Sequence, residues 1–277
     1  MLIALSFAVV SAGLLQAQAV TAATDKAQGM TDAEVSQLFH EANQYFARAN
    51  QAASSDPDKA ADLYQKSLLR YRKIIDQGNI QNGKLYYNIG NIYFKTKDIG
   101  RAMLNYKKAE KYLGNDINLQ KNLAFARQMR QDKIDVKQET KILNTVFFWH
   151  YDLSSKTRLF LFFGIFCLVW LFAGIRIFVK RPFFKGAAAV TGALSVMFAA
   201  SLGVEYIARE NTIEGVVISE KSVARKGNSV SYEPSFTNPL HAGTEFTVLD
   251  DRGTWIQVQL PDDRTCWLPA ADVELVQ

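Results

Sequence analysis

Two long apolar runs separated by a short basic connector constrain this chain more than any other feature. Residues 159–175 and 186–204 contain no charged side chain. A hydrocarbon core about 30 Å thick requires roughly 20 apolar residues in a helix. The first run reaches that length if it continues past Arg176, whose long stem can extend to the membrane surface. The pattern predicts a two-helix transmembrane hairpin with spans at 159–179 and 186–204. The alternative is a pair of buried core helices in a soluble protein.

The connector between the two runs is basic. It contains Arg176, Lys180, Arg181 and Lys185 and no acidic residue. Lysine and arginine are enriched in the short loops that remain in the cytoplasm. These four residues are therefore predicted to determine topology, with the connector in the cytoplasm and both flanking soluble domains on the opposite side of the membrane.

The N-terminus has the features of a secretory signal. An apolar stretch at residues 2–15 precedes Ala17-Gln18-Ala19, which fits the small-x-small pattern of a cleavage site. No lysine or arginine precedes the apolar stretch, so residues 1–23 are either a cleaved signal peptide or an uncleaved anchor. In both cases the domain that follows is expected outside the cytoplasm.

Composition gives little support for an enzyme or a nucleic-acid-binding protein. The net charge of +5 is modest and partly arises in the connector. Cys167 and Cys266 are too far apart in the predicted architecture for a disulfide, and neither has neighbours at metal-ligand spacing. No nucleophile–base pair or phosphate-binding loop is found. We therefore expect no enzymatic activity, no cofactor or metal, and no nucleic-acid partner.

Residues 31–132 show helical periodicity and a repeated pattern. Gly90 lies among the aromatic and aliphatic residues of the stretch 85–94, and Ala102, Tyr106 and Ala109 follow at helical spacing. This stretch resembles a tetratricopeptide repeat, in which a small residue allows two helices to cross closely. Aligning Ala42 with Gly90 gives an earlier repeat. The resemblance implies about two repeats and a cap helix, which form an all-α superhelix.

Such superhelices bind peptides in a concave groove built from the first helix of each repeat. The residues predicted to form this groove are Phe39, Asn43, Tyr87, Asn88, Asn91, Phe94 and Asn122. An asparagine amide can donate to a peptide carbonyl and accept from a peptide N–H. Family members that clamp a carboxylate have asparagines at positions matching Asn43 and Asn88, but their basic partners are not matched here. The alternative is that these amides are solvated or serve helix packing.

The stretch 133–158 is predicted to be a juxtamembrane linker with an interfacial aromatic segment. Its cluster Phe147-Phe148-Trp149-His150-Tyr151 is typical of the membrane–water boundary. Ser154 or Ser155 is the expected N-cap of the first span. For His150, an interfacial role is favoured over that of a pH sensor.

Residues 212–277 change to the period of two that is typical of β-strands. The segments 240–244 and 266–269, together with Trp255, resemble a bacterial SH3 domain, which implies a small all-β barrel. The candidate ligand surface consists of Tyr232, Pro234, Trp255 and Trp267. The alternative, that both tryptophans are core or wall residues, is favoured by the general tendency of aromatic rings to be buried.

The complete order of segments resembles one family. A signal sequence, tetratricopeptide repeats, a membrane hairpin and a C-terminal SH3 domain occur in this order in the E proteins of the Bacteroides aerotolerance operon. The resemblance implies a Gram-negative inner-membrane scaffold with periplasmic domains and a link to oxidative-stress tolerance. Its expected partners are the lipid bilayer and operon-encoded membrane proteins with von Willebrand factor A domains. The alternative function is an envelope-binding module whose SH3 domain holds peptidoglycan peptides.

Overall fold

A computed structural model of the protein describes residues 30–134, 147–151 and 153–276. The predicted signal segment, half of the predicted juxtamembrane linker (135–146 and residue 152) and the last residue lie outside these ranges. The chain divides into two compact units at Leu85 and Tyr86, and each is described by itself.

The first unit is built on an antiparallel pair of helices. These are α1 (Asp32–Ala52) and α2 (Pro57–Asp76), and the unit also includes the first residues of α3 (Gly83–Lys95). The Asp56 carboxylate caps α2 by accepting from the backbone N–H of Lys59. The hydroxyl of Ser67 donates to the carbonyl of Ala42 at 2.8 Å, and both residues are fully buried. Small residues at this crossing let the two helices approach closely.

The helices of the second unit continue with the remainder of α3, α4 (Ile99–Leu113) and α5 (Ile117–Met129). Gly90 on α3 faces the ring of Tyr106 on α4, and a Cβ atom at Gly90 would lie only 2.5 Å from Tyr106 Cδ1. The predicted need for a small residue at this crossing therefore has a direct steric cause. Asp98 and Asp116 cap α4 and α5.

A hairpin of two long helices follows the short helix α6 (Phe148–Tyr151). These are α7 (Ser155–Phe178), capped by Ser154 as one of the two predicted options, and α8 (Pro182–Asn211). All of α7 and residues Pro182–Ile207 of α8 are long and apolar enough to span a membrane. Few of their apolar side chains are covered by the rest of the protein, which disfavours the alternative of buried core helices. Both helices begin about one turn before the predicted spans.

The C-terminal part of the second unit is antiparallel β-structure, here called the β-domain (residues 214–276). Its main sheet has the strand order β6-β5-β4-β1-β7, and β2 pairs with β3. The strands are β1 (Glu214–Val217), β2 (Lys221–Ser222), β3 (Leu240–His241), β4 (Glu245–Asp251), β5 (Trp255–Gln259), β6 (Thr265–Pro269) and β7 (Val273–Leu275). Phe246, Ile256, Val258 and Leu268 form its core, in the period of two that the sequence predicted.

Candidate functional site

The β-domain is fastened to α5 by a cluster of charged residues that we call the clamp (Arg127, Arg130, Asp132, Glu245, His241 and Thr244). The Glu245 carboxylate accepts from Arg127 Nε at 2.9 Å, from Arg127 Nη2 at 2.7 Å and from Arg130 Nη1 at 3.0 Å. The side chains of Arg130 and Glu245 are only 10% and 16% exposed. Two guanidinium groups and one largely buried carboxylate therefore join a helix to the start of β4, the central strand of the sheet.

Asp132 forms the second half of the clamp. One of its carboxylate oxygens accepts from the backbone N–H of His241 at 2.6 Å and from the Thr244 hydroxyl at 2.7 Å. The other oxygen lies 2.9 Å from His241 Nδ1. The carboxylate of Asp132, which lies three residues after the end of α5, thus holds the segment that connects β3 to β4.

The charges of the clamp depress the pKa values of its carboxylates. Burial acts to raise the pKa of Glu245, but the hydrogen bonds and charge of Arg127 outweigh it and hold the pKa below its usual value. Burial likewise opposes ionisation of Asp132, and the hydrogen bonds from His241 and Thr244 lower its pKa overall. Both groups are therefore ionised at neutral pH.

A cleft of about 570 Å³ lies beside the clamp. Its lining combines charged residues, among them Lys107, Arg127 and Glu214, with apolar side chains such as Phe246 and Leu260. The Lys107 ammonium group is committed to two carboxylates, Glu110 at 2.7 Å and Glu214 at 2.9 Å. The cations of this cleft thus have internal counterions. Within the described ranges, no group of three or more His, Cys, Asp and Glu side chains is arranged to hold a metal ion.

Three of the four predicted SH3 surface residues gather around Arg225. The backbone of Arg225 exchanges hydrogen bonds with that of Trp267 at 2.9 and 2.8 Å and forms a bridge with Pro234. Its guanidinium group donates to the carbonyl of Tyr232 at 2.6 Å. Tyr232 and Pro234 are exposed, so they can contact a ligand.

The two tryptophans of the predicted surface are less accessible. Trp267 is buried, and the guanidinium carbon of Arg252 lies 4.9 Å from the centre of its ring. Trp255 is half-buried and pairs with Pro269 across β5 and β6. Neither ring presents an open face comparable to that of Tyr232. Arg225 and Arg252 were not among the residues predicted for the ligand surface, because their contacts with Tyr232 and Trp267 come from the fold.

All seven residues predicted for the groove are half-buried. In the first unit, Phe39 packs edge-on against Tyr71, whose hydroxyl donates to Asn43 Oδ1 at 2.7 Å. In the second unit, the Tyr106 hydroxyl donates to Asn91 Oδ1 at 2.9 Å. These amides are therefore tied to tyrosines of the neighbouring helix and are not simply solvated.

Asn122 and Tyr87 extend the network of the second unit. The amide nitrogen of Asn122 donates to Asn91 Oδ1 at 2.8 Å and to the Tyr87 hydroxyl at 3.1 Å. Asn88 also has an interaction partner. The alternative of a helix-packing role thus describes part of what these side chains do, and their role in binding stays a prediction.

A buried ion pair joins the two long helices of the hairpin near the ends opposite the connector. Arg158 on α7, with 3% of its surface exposed, pairs with Glu205 on α8. It also donates to the Ser201 hydroxyl at 2.7 Å and to His150 Nδ1 at 3.0 Å. The pair is among the features that sequence reasoning missed, since the two residues are distant in the chain. The bond from Arg158 to His150 links helix α6 to the hairpin.

Comparison with known proteins supports one part of the chain directly. Residues 240–273, from β3 to the start of β7, match the family described as the bacterial dipeptidyl-peptidase Sh3 domain. The predicted bacterial SH3 domain is thereby confirmed, within a protein that has two candidate membrane-spanning helices. The match does not extend to helices α1–α5, so their assignment as tetratricopeptide repeats stays a prediction. A search of the curated proteins finds no significant match, and a search of the solved structures finds none either.

Proposed function

We propose that this protein is a membrane-anchored scaffold whose helical repeats bind protein partners outside the cytoplasm. The observation that carries the proposal is the clamp, which fastens a bacterial SH3 domain to helix α5 through Glu245 and Asp132. SH3 domains are binding modules, and two apolar helices suggest an anchor in the bilayer. A binding module held on helices near a membrane suits an assembly role better than catalysis.

The finer parts of the proposal come from the sequence. The basic connector favours a periplasmic location for both soluble parts. The resemblance to the aerotolerance E proteins implies the inner membrane of a Gram-negative bacterium and a complex linked to oxidative-stress tolerance. Membrane proteins with von Willebrand factor A domains are the proposed partners.

The asparagine hydrogen bonds within each unit indicate how a helical repeat would bind an extended partner segment. In Asn43 and Asn91 the bonds from Tyr71 and Tyr106 use the amide oxygen. The two N–H donors of each amide are not used in these bonds, so they can donate to backbone carbonyls of a bound chain. The tyrosine bonds also fix the orientation of each amide, which lowers the entropic cost of binding.

A second candidate function is binding of cell-envelope peptides, including those of peptidoglycan, by the SH3 domain. It is favoured by the exposed Tyr232 and Pro234 beside Arg225. Within the described ranges, the Arg225 guanidinium has no carboxylate partner and bonds only the carbonyl of Tyr232. A peptide carboxylate could therefore pair with it.

Crosslinking and capture of the full-length protein from its native membrane tests both functions. One variant combines Asn88→Ala with Phe94→Ala on α3, and the second combines Tyr232→Ala with Pro234→Ala in the SH3 domain. Leu69→Ala, an exposed position on α2, serves as the control. Circular dichroism must show that all variants keep their helical content.

The proposal predicts loss of captured proteins with the α3 variant alone. Loss with the SH3 variant alone supports the second candidate. Wild-type capture by both would refute recognition through either surface. A reporter fused after Gln277 separately tests the topology, since a reporter active only in the periplasm should function there.

A further inference from the structure

The turn between α7 and α8 carries four cations. We call residues 176–185 the basic turn. Arg176, Lys180, Arg181 and Lys185 are all exposed. Across residues 30–134, 147–151 and 153–276, none of the four side chains makes an ion pair or a hydrogen bond. The clamp, by contrast, pairs its cations internally, whereas the described residues supply no counterion to the basic turn.

The four cations lie at nearly the same depth along the hairpin. Helix α7 ends at Phe178 and α8 begins at Pro182. At about 1.5 Å per residue, Arg176 and Lys185 lie within about 5 Å of the turn along the helix axes. The cations therefore form a compact group at the ends of both apolar helices.

Two aromatic rings place this group at the boundary of the hydrocarbon core. Phe178 is 88% exposed and Phe183 is 69% exposed. Each ring lies two residues from cations on both sides in the chain and is largely uncovered within the described residues, so acyl chains are the apolar environment available to it. Long basic side chains beside such rings extend toward the headgroups. Lipid phosphates lie at that depth.

We propose that the basic turn gathers anionic phospholipids around the end of the hairpin. The inference rests on the membrane insertion within the proposed function, but not on the orientation of the hairpin or on any protein partner. A lysine or arginine near an anionic membrane surface contributes about fivefold in association, or roughly 1 kcal/mol. Four such residues within one turn favour an anionic headgroup over a zwitterionic one by well over tenfold.

Fluorescence quenching in vesicles of the full-length protein tests the proposal. Trp170 on α7 is 65% exposed and lies about 9 Å along the helix from Arg176, so it reports on neighbouring lipids. Two samples of phosphatidylcholine vesicles are compared, one with a small fraction of brominated phosphatidylglycerol and one with the same fraction of brominated phosphatidylcholine. In each sample the brominated lipid is present equally in both leaflets. Trp170→Phe identifies the contribution of this tryptophan.

Two variants with equal charge loss separate the basic turn from the rest of the protein. In the test variant, the four cations of the turn are replaced by glutamine. The control variant replaces four exposed lysines of the helical region in the same way, namely Lys59, Lys95, Lys121 and Lys133. We expect wild type and the control variant to prefer the anionic lipid at least tenfold, and the test variant to show no preference.

Equal quenching by the two lipids in wild type would overturn the inference, as would equal loss of preference in both variants. If neither brominated lipid quenches Trp170, the membrane insertion itself is wrong and the inference falls with it. Sodium chloride and inorganic phosphate, at equal ionic strength, are expected to weaken the preference equally, because both screen the same charges. Stronger displacement by phosphate would instead indicate a site for a soluble anion.

Discussion

Glu245→Gln should loosen the attachment of the SH3 domain to α5 without changing the shape of the side chain. The carboxylate accepts three hydrogen bonds from Arg127 and Arg130 at 2.7–3.0 Å. A glutamine keeps one acceptor oxygen and turns an amide N–H₂ group toward two guanidinium groups. It also leaves Arg130, which is 10% exposed, without its carboxylate partner.

The expected cost follows from these contacts. Breaking a buried ion pair by removing one partner costs about 3–5 kcal/mol. Because Arg127 is 38% exposed and water can replace part of its bonding, the lower end applies and we expect about 3 kcal/mol. At 1.4 kcal/mol per factor of ten, the population of the opened state rises about a hundredfold.

Hydrogen exchange of the full-length protein measures this opening. Amides of α5 and β4 should exchange about a hundredfold faster in the variant, after correction for intrinsic rates. Glu233→Gln is the matched control, since its pair with Lys226 is highly exposed and should contribute little. Exchange in Glu245→Gln within threefold of wild type would refute the idea that the clamp holds the two parts together.

The pH dependence of the same measurement has a defined sign. The pKa of Glu245 is lower in the folded protein than the ordinary value of about 4.3. Its stabilising contribution is therefore complete above that pH and is lost as the pH falls through the folded-state pKa. Wild type should lose its advantage over Glu245→Gln in acid. A difference between the two proteins that stays the same from neutral pH into strong acid would contradict this assignment.

Three further outcomes are expected. Gly90→Ala should destabilise the second unit by about 2 kcal/mol, because its methyl group would meet the Tyr106 ring. Thermal circular dichroism should show a lower melting temperature. Gly164→Ala is the control and should melt like wild type, because the space around its Cβ is open. Cys266 should resist iodoacetamide in the folded protein, because burial raises the pKa of its thiol to about 12, and rapid labelling near pH 8 would contradict its burial. Asn122→Ala should cost about 1 kcal/mol in denaturant unfolding, and a variant as stable as wild type would show that its amide bonds add nothing.

The parts predicted well from sequence are those whose signals are local. The apolar runs specify two long helices because every residue of a span must tolerate the same environment. Alternation over a few residues predicted the short strands of the β-domain. The segments 240–244 and 266–269, with Trp255, carried the resemblance to a bacterial SH3 domain. The position of Gly90 was likewise predicted, since close helix crossings require a small residue.

The predicted binding residues show what local sequence patterns cannot predict, namely the partner of an individual side chain. Asn43 and Asn91 were predicted to line a groove, which stays a prediction; the pattern did not show that their oxygens accept from tyrosines of the adjoining helix. Trp267 was a candidate for ligand contact, but Arg252 covers its ring. An amphipathic pattern identifies the face of a helix, but not which polar atom finds a partner there.

The sequence alone determined the two apolar helices, the basic turn between them and the period-two strands of the SH3 domain, because each depends on residues near one another in the chain. Only the tertiary structure decided that Glu245 meets Arg127, that Asp132 holds His241 and that Arg158 pairs with Glu205. When two charged residues are separated by tens of residues or more, the sequence around each one does not indicate which residue it pairs with. Their pairing follows from packing of the elements that carry them, since a largely buried charge must find its counterion within the folded chain.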